Sequence, residues 1–223
     1  MAKKTKKKFS GKITDMSLYT NNRGVVEENI GANNEDGMYK YGTTVELSRA
    51  IPDITDGLKP VERRVLYATA KIAGATKKMT KVLSLIGDVI KIHPHGDSSV
   101  ENVITGLGKD WEVPYPLMTI GGNNGQIAGS PSASARYITG RVSDFAYDCF
   151  FSEWDDKVMD MAPTYNQDLM EPLSLAAKYP NMLLKPSTGF TFSMATYVPS
   201  FNLVEAFEEV IKCIKAPAYH PYL

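Results

Sequence analysis

Apolar residues along this chain fall into short helical stripes separated by proline- and glycine-rich joints. From Ile13 to Gly37 no hydrophobic period is sustained, and the Asn, Gly and acidic content reads as an irregular extension. Tyr39 to Arg49 carries apolar and small residues at helical spacing, and the stripe stops before Ile51-Pro52, where proline disfavours further helix. Pro52 to Lys59 has turn chemistry around Asp56-Gly57, and Pro60 stands where a first helical residue tolerates proline. Val61, Val65, Ala68 and Ile72 then line one face of a helix reaching about Ala73, with Gly74 as its stop. Thr80 is the expected N-cap of the next helix, Lys81 to Ile92, in which Val82, Leu85, Ile86, Val89 and Ile90 recur at spacings of three and four. After His93-Pro94 and a turn at Gly96, Asp97 or Ser98 is expected to cap a further helix. There Ser98 and Glu101 have capping-box spacing, and Val100, Val103, Ile104 and Leu107 face inward. Two helices joined by a short Gly-containing turn make a helix-turn-helix candidate.

The second half changes rhythm. Pro114 and Pro116 forbid helix between Asp110 and Pro116. Leu117 to Ile120 reads as a strand, and Gly121 to Gly125 as a sharp turn where positive φ is cheap, so a hairpin is expected, the wing of a winged helix. A run of small residues, Ser132 to Ala135, then leads into Arg136-Tyr137, and Arg141 is expected to open a helix with Val142, Phe145, Ala146, Cys149 and Phe150 on one stripe. Beyond Trp154 five prolines, from Pro163 to Pro199, punctuate short segments, of which Phe190 to Val198 is read as a strand, and a last helix runs from Asn202 to Lys215. The fold class is α+β, mainly helical: a basic irregular extension over 1–37, a winged-helix domain over 38–155, and the opening of a second module over 156–223.

Composition adds boundaries. With 223 residues and 43% hydrophobic content the chain can bury a core, and its formal net charge of +0 says nothing for or against nucleic acid. The distribution says more: Lys3, Lys4, Lys6, Lys7, Lys8 and Lys12 form an arm suited to phosphates or an acidic partner, although such arms also serve as solubilising leaders. Cys149 and Cys213 match neither a disulfide framework nor a zinc site, and no apolar run approaches membrane-spanning length, so a cytoplasmic protein without a membrane partner is expected.

The candidate chemistry centres on Tyr137. A phenol with a pKa near ~10 is a poor nucleophile at neutral pH and needs a cation and an in-line substrate. Arg136 supplies a guanidinium suited to a phosphoryl group under attack, and the small neighbours let a bulky backbone approach. An arbitrary Arg-Tyr pair is most often a packing tyrosine beside a surface arginine, so context must decide. Arg63 and Arg64, in the first turn of a helix, oppose its dipole and suggest an anion nearby. Ser98, Ser99 and Asn102, small and polar at the start of the second helix of the helix-turn-helix, suit a groove or a phosphate. Neither a Gly-rich phosphate loop nor an Asp-x-Asp metal pair is present.

The runs Arg49-Ala50-Ile51-Pro52-Asp53, Asp56-Gly57-Leu58-Lys59-Pro60-Val61, Arg63-Arg64-Val65-Leu66-Tyr67, Gly87-Asp88-Val89-Ile90 and His93-Pro94-His95-Gly96-Asp97-Ser98 resemble the A subunits of type IIA DNA topoisomerases, gyrase and topoisomerase IV. Arg136-Tyr137 falls where that family keeps its nucleophile, and Pro180-Asn181-Met182-Leu183-Leu184, Met194-Ala195-Thr196 and Asn202-Leu203 resemble the stretch that follows. The resemblance implies a CAP-like winged helix followed by the start of a tower-type α/β domain. It implies that Tyr137 attacks duplex DNA, with Arg136 and Arg49 at the scissile phosphate. Lys59, Arg63, Arg64, His93 and His95 would line the bent duplex, and Ser98 and Asn102 would stand where quinolone sensitivity is usually set. The implied partners are double-stranded DNA, a second copy of this chain, a B-type subunit holding both ATP and Mg²⁺, and a separate polypeptide carrying the remaining tower, coiled-coil and exit-gate regions if the gene is split, as in a phage-type topoisomerase; the alternative is that the chain is a fragment. The chain departs from the family in three places: Ile138-Thr139 replaces Thr-Glu after the tyrosine, Phe190 stands where an isoleucine wedge kinks DNA, and Asn102 replaces a commonly acidic residue. Two other readings compete. His93-Pro94-His95 suggests the metal site of a strand-nicking relaxase, although Pro94 suits a central strand poorly and a third ligand is missing. A duplex-binding module of the same family that never cleaves is the other.

Overall fold

The computed structural model describes residues 29–155, 157–191 and 195–221; the lysine arm and Met194 lie outside them. The first helix, α1 (Ile30–Val45), starts nine residues before Tyr39, inside the stretch expected to be irregular up to Gly37, and so corrects that expectation. Asn29 explains the early start, because its side chain accepts from the Gly31 and Ala32 amides at 2.9 and 3.2 Å, two groups that a helix otherwise leaves unpaired. The chain continues as a π-helical turn, Glu46–Ala50, and straightens at Ile51 ahead of Pro52.

Helix α2 (Pro60–Tyr67) runs into a second π-helical turn, Ala68–Ile72, and Gly74 at φ +61° ends it. Next come the two-residue strand β1 (Thr80–Lys81), α3 (Val82–Ile90) and α4 (Asp97–Gly106). Thr80 is therefore a strand residue and not an N-cap. The first amides of α3 are taken by backbone carbonyls instead: Val82 N–H donates to Ile138 at 3.1 Å and Leu83 N–H to Ala135 at 3.2 Å. The α3 stripe lies inward, with Val82, Leu85, Ile86 and Val89 all buried, and it meets Val65 and Leu66 of α2 and Val100 and Ile104 of α4 in one core. Burying a side chain of this kind contributes roughly 1.5–3 kcal/mol.

Strands β2 (Met118–Gly121) and β3 (Thr139–Val142) complete a three-stranded antiparallel sheet in the order β1-β3-β2, with Gly140 opposite both Thr80 and Ile120. Gly122 and Gly125 do take positive φ, but no return strand follows them. The partner of β2 arrives only at Thr139, so residues 122–138 form a long excursion in place of the expected tight hairpin. Arg141 belongs to β3, not to a helix; α5 (Asp144–Phe150) begins after Ser143, whose hydroxyl accepts from Ala146 N–H at 3.0 Å.

The remaining elements are the strand pair β4 (Met161–Pro163) and β5 (Met170–Pro172), the short α6 (Asn181–Leu184), the pair β6 (Ser187–Phe190) and β7 (Ala195–Val198), and α7 (Leu203–Lys215) capped by Asn202. The single strand expected from Phe190 to Val198 is thus two strands with Phe190 opposite Ala195. Asp56 ties this region to α2: its backbone carbonyl accepts from the Asn181 amide side chain at 2.7 Å and its carboxylate from Leu175 N–H at 2.9 Å. Gly57 (φ +66°) lies against the backbone of Asn181 and Met182, which leaves no room for a Cβ. The whole is a mixed helix-and-strand, α+β arrangement.

Candidate nucleophile loop and nucleic-acid interface

The 122–138 excursion is a built loop. Asn124 donates from its side chain to Thr105 O at 3.1 Å, Ser132 Oγ donates back to Asn124 O at 2.9 Å, and Ala133 N–H donates to Asn123 O at 3.0 Å. Its last turn is closed by Tyr137 N–H donating to Ser134 O at 2.8 Å. Ala135 and Ile138 are buried, and their carbonyls hold the first amides of α3. Arg136 and Tyr137, between those two anchors, are exposed, the tyrosine to 71%. A side chain so exposed is unusual for a packing tyrosine.

Sequence reasoning missed the third anchor. Glu101 Oε1 accepts from Ala135 N–H at 2.9 Å, tethering α4 to the residue just before Arg136. Its expected capping-box role is corrected: Asp97 is already the first helical residue and Gly96 the cap, so Glu101 lies beyond the first turn. Ser99 Oγ closes back on Gly96 O at 2.7 Å, and Asp97 Oδ1 accepts from Ser98 N–H at 2.9 Å. Ser98, Ser99 and Asn102 are exposed at the start of α4, as expected.

A second group gathers cations. Arg49 stands exposed at the end of the first π-helical turn. Arg64 donates to Glu171 through a fork, Nη2 to Oε1 at 2.8 Å and Nε to Oε2, while its Nη1 lies 2.9 Å from His93 Nδ1. His93 is buried and packs edge-on against the exposed His95 at 4.4 Å between ring centroids. Burial, reinforced by the nearby Arg64, His95 and Arg49, pushes the His93 pKa down to about 4, so the ring is neutral at pH 7.

Arg63 is placed elsewhere than expected. It is 7% exposed and its Nε lies 2.6 Å from Asp56 Oδ2, with Nη2 on Asp56 Oδ1 at 2.9 Å, so its anion is a buried carboxylate and not a phosphate. Lys59, half-buried, donates to Thr188 O, and burial lowers its pKa. That bond belongs to a clamp on the β6–β7 pair: Thr196 Oγ1 donates to Glu46 Oε1 at 2.6 Å, and a Cβ on Gly189 would stand 2.7 Å from Ala50 O. The clamp seats the strand carrying Phe190, 80% exposed, against the turn carrying Arg49. Among the described residues no group of three His, Cys, Asp or Glu side chains is placed to hold a metal ion, and no helix is long and apolar enough to cross a membrane.

An exposed phenol and guanidinium on an anchored loop, with a cationic group and an exposed phenyl ring on other elements, suit attack on a polyanion. Residues 49–222 match the family model for the A subunit of DNA gyrase/topoisomerase IV, and the chain belongs to that family. It is 40% identical to the A subunit of DNA gyrase from Lawsonia intracellularis over 80% of this chain and 22% of that protein. It is 36% identical to the A subunit of DNA topoisomerase 4 from Staphylococcus epidermidis over 92% of this chain and 24% of that one. Against the A subunit of DNA topoisomerase 4 from Bacillus subtilis, identity is 37% over 86% of this chain and 24% of the relative. The chain therefore spans less than a quarter of the length of these relatives.

Proposed function

We propose that this chain is the DNA-cleaving portion of an ATP-dependent type IIA topoisomerase acting in the cytoplasm, with Tyr137 as its nucleophile. The observation that carries the reading is the exposed Arg136-Tyr137 pair held between buried Ala135 and Ile138 in a chain of this family. Helices α3 and α4 with β2 and β3 are read as the CAP-like winged helix, and the region beyond residue 156 as the start of the tower-type domain.

In this reading Tyr137 Oη attacks a backbone phosphorus, the Oη–P bond forms as the P–O3′ bond breaks, and the phenolic proton is replaced on the leaving oxygen by one from solvent. The products are a 5′-phosphotyrosyl link and a 3′ hydroxyl. Resealing is the same attack reversed, so it needs no high-energy cofactor. Arg136 and Arg49 stabilise the charge that builds on the phosphoryl oxygens. Ser98, Ser99 and Asn102, with His93, His95, Arg64 and Lys59, position the duplex, and Phe190 serves as an apolar wedge between base pairs. ATP and Mg²⁺ are assigned to a B-type partner, whose acidic residues would hold the ion that polarises the scissile phosphate. A second copy of this chain would cut the opposite strand, and the tower, coiled-coil and exit-gate regions of the family would complete the gate.

Covalent trapping tests the reading. The chain is incubated with plasmid duplex, Mg²⁺, a B-type partner and a polypeptide supplying those remaining regions, then quenched with detergent. Linear DNA with protein on its 5′ ends is expected, and none with Tyr137→Phe. Duplex binding without an adduct under every combination would leave only a DNA-binding module.

A further inference from the structure

Glu171 lies on β5, 107 residues along the chain from Arg64, and no local constraint brings the two together. Both carboxylate oxygens are used on one side of the guanidinium, which orients the remaining Nη1 toward His93 Nδ1 at 2.9 Å. A guanidinium has five N–H donors and no acceptor. Nδ1 is therefore the acceptor in this bond, and the ring proton of a neutral His93 sits on Nε2.

We propose that Glu171 is a positioning residue: acting through Arg64, it holds His93 as the Nε2–H tautomer, so that the imidazole meets the substrate's phosphate backbone as a hydrogen-bond donor. The functional half of this proposal rests on the DNA-cleaving reading above, whereas the tautomer does not depend on it. The charged and titratable groups that face His93 are Arg64, His95 and Arg49. Burial, together with these groups, pushes the His93 pKa down to about 4, so the ring is neutral in the physiological range and protonation does not compete with the Arg64 bond there. An exposed histidine, by contrast, would be half protonated near pH ~6.5 and would sample both tautomers above it. Second-sphere carboxylates set a histidine tautomer directly in metal sites; here the guanidinium is interposed, which converts an acidic side chain into a donor aimed at the ring.

The test is nuclear magnetic resonance of the full chain labelled with ¹⁵N-histidine, without DNA. The sequence has 3 histidines, so His95→Gln and His220→Gln assign the His93 signals by elimination. A pyridine-like Nδ1 and a pyrrole-like Nε2 are expected for His93, unchanged from neutral pH down to about pH 5. In Glu171→Gln the fork loses its charge and Arg64 its fixed orientation, so the two nitrogen signals should move toward each other as the second tautomer becomes populated. A wild-type His93 protonated on Nδ1, or a Glu171→Gln spectrum in which the tautomer does not move, overturns the proposal. Should Glu171→Gln lose its dispersed amide spectrum, Arg64→Lys is read in its place. Lysine keeps the cation and lacks the fork, so the same change is expected and an unchanged tautomer is equally fatal. A merely structural Glu171 would lower the melting temperature and leave the tautomer alone. Because no cleavage enters the measurement, failure to form an adduct at Tyr137 and failure of this relay are separate results.

Discussion

Arg63 lies 2.6 Å from a carboxylate that solvent does not reach, while Arg136 stands exposed two residues before the buried Ile138. Removing one partner of a buried pair leaves the other uncompensated, at a cost of roughly 3–5 kcal/mol, whereas surface substitutions mostly fall within about 0.5 kcal/mol. Arg63→Met should therefore lower the urea midpoint sharply, since the Asp56 carboxylate keeps only its backbone donors, Leu58 and Leu175. Arg136→Gln should leave the midpoint alone and abolish the covalent adduct. Comparable loss of stability in both variants would refute the separation of roles. Sequence position alone suggested that Arg63 and Arg64 would share one; the helix turns them to different sides, one inward to Asp56 and one toward Glu171 and His93.

Elements as short as β1 and β3 have no pattern of their own to reveal them. Thr80 and Arg141 looked like helix starts because the apolar stripes of α3 and α5 begin beside them, yet both are strand residues, Thr80 opposite Gly140 and Arg141 opposite Thr119. Separation along the chain also hides Glu101, whose spacing from Ser98 imitates a local cap while its carboxylate reaches Ala135. An unsatisfied, partly buried N–H costs about 1–3 kcal/mol, so Glu101→Ala should speed hydrogen exchange at Ala135 and Tyr137 and reduce cleavage, with Glu101→Gln milder because it keeps an acceptor. Unchanged exchange at Ala135 in the alanine variant would mean that the tether does not order the loop.

Across the whole molecule formal net charge is +0, so in the proposed function attraction to DNA would come from local groups such as Arg49 and Arg136. Binding of a short duplex should weaken with salt, and each phosphate that a variant no longer neutralises should flatten the slope of log K against log salt by about 0.9. Arg136→Gln and Arg49→Gln should each free about one phosphate, and Arg63→Met, if it folds, none. An equal change for all three would refute the surface assignment. The Glu46–Thr196 and Lys59–Thr188 bonds hold the β6–β7 pair that carries Phe190 against the turn that carries Arg49.

What the sequence determined by itself is whatever depends on neighbours within one or two turns. The 3.6-residue stripes of α3, α4 and α7 and the stop at Gly74 are of this kind, because the side chains that decide them lie a few residues apart. Tertiary structure alone decided which strand returns to β2, that Arg63 faces inward, that Glu101 holds the loop carrying Arg136 and Tyr137, and that Glu171 reaches His93 through Arg64. Those are pairings between groups 7 to 107 residues apart. Their partners are chosen by which surfaces the core brings together, and burial then makes each unpaired charge or amide costly enough to enforce the choice.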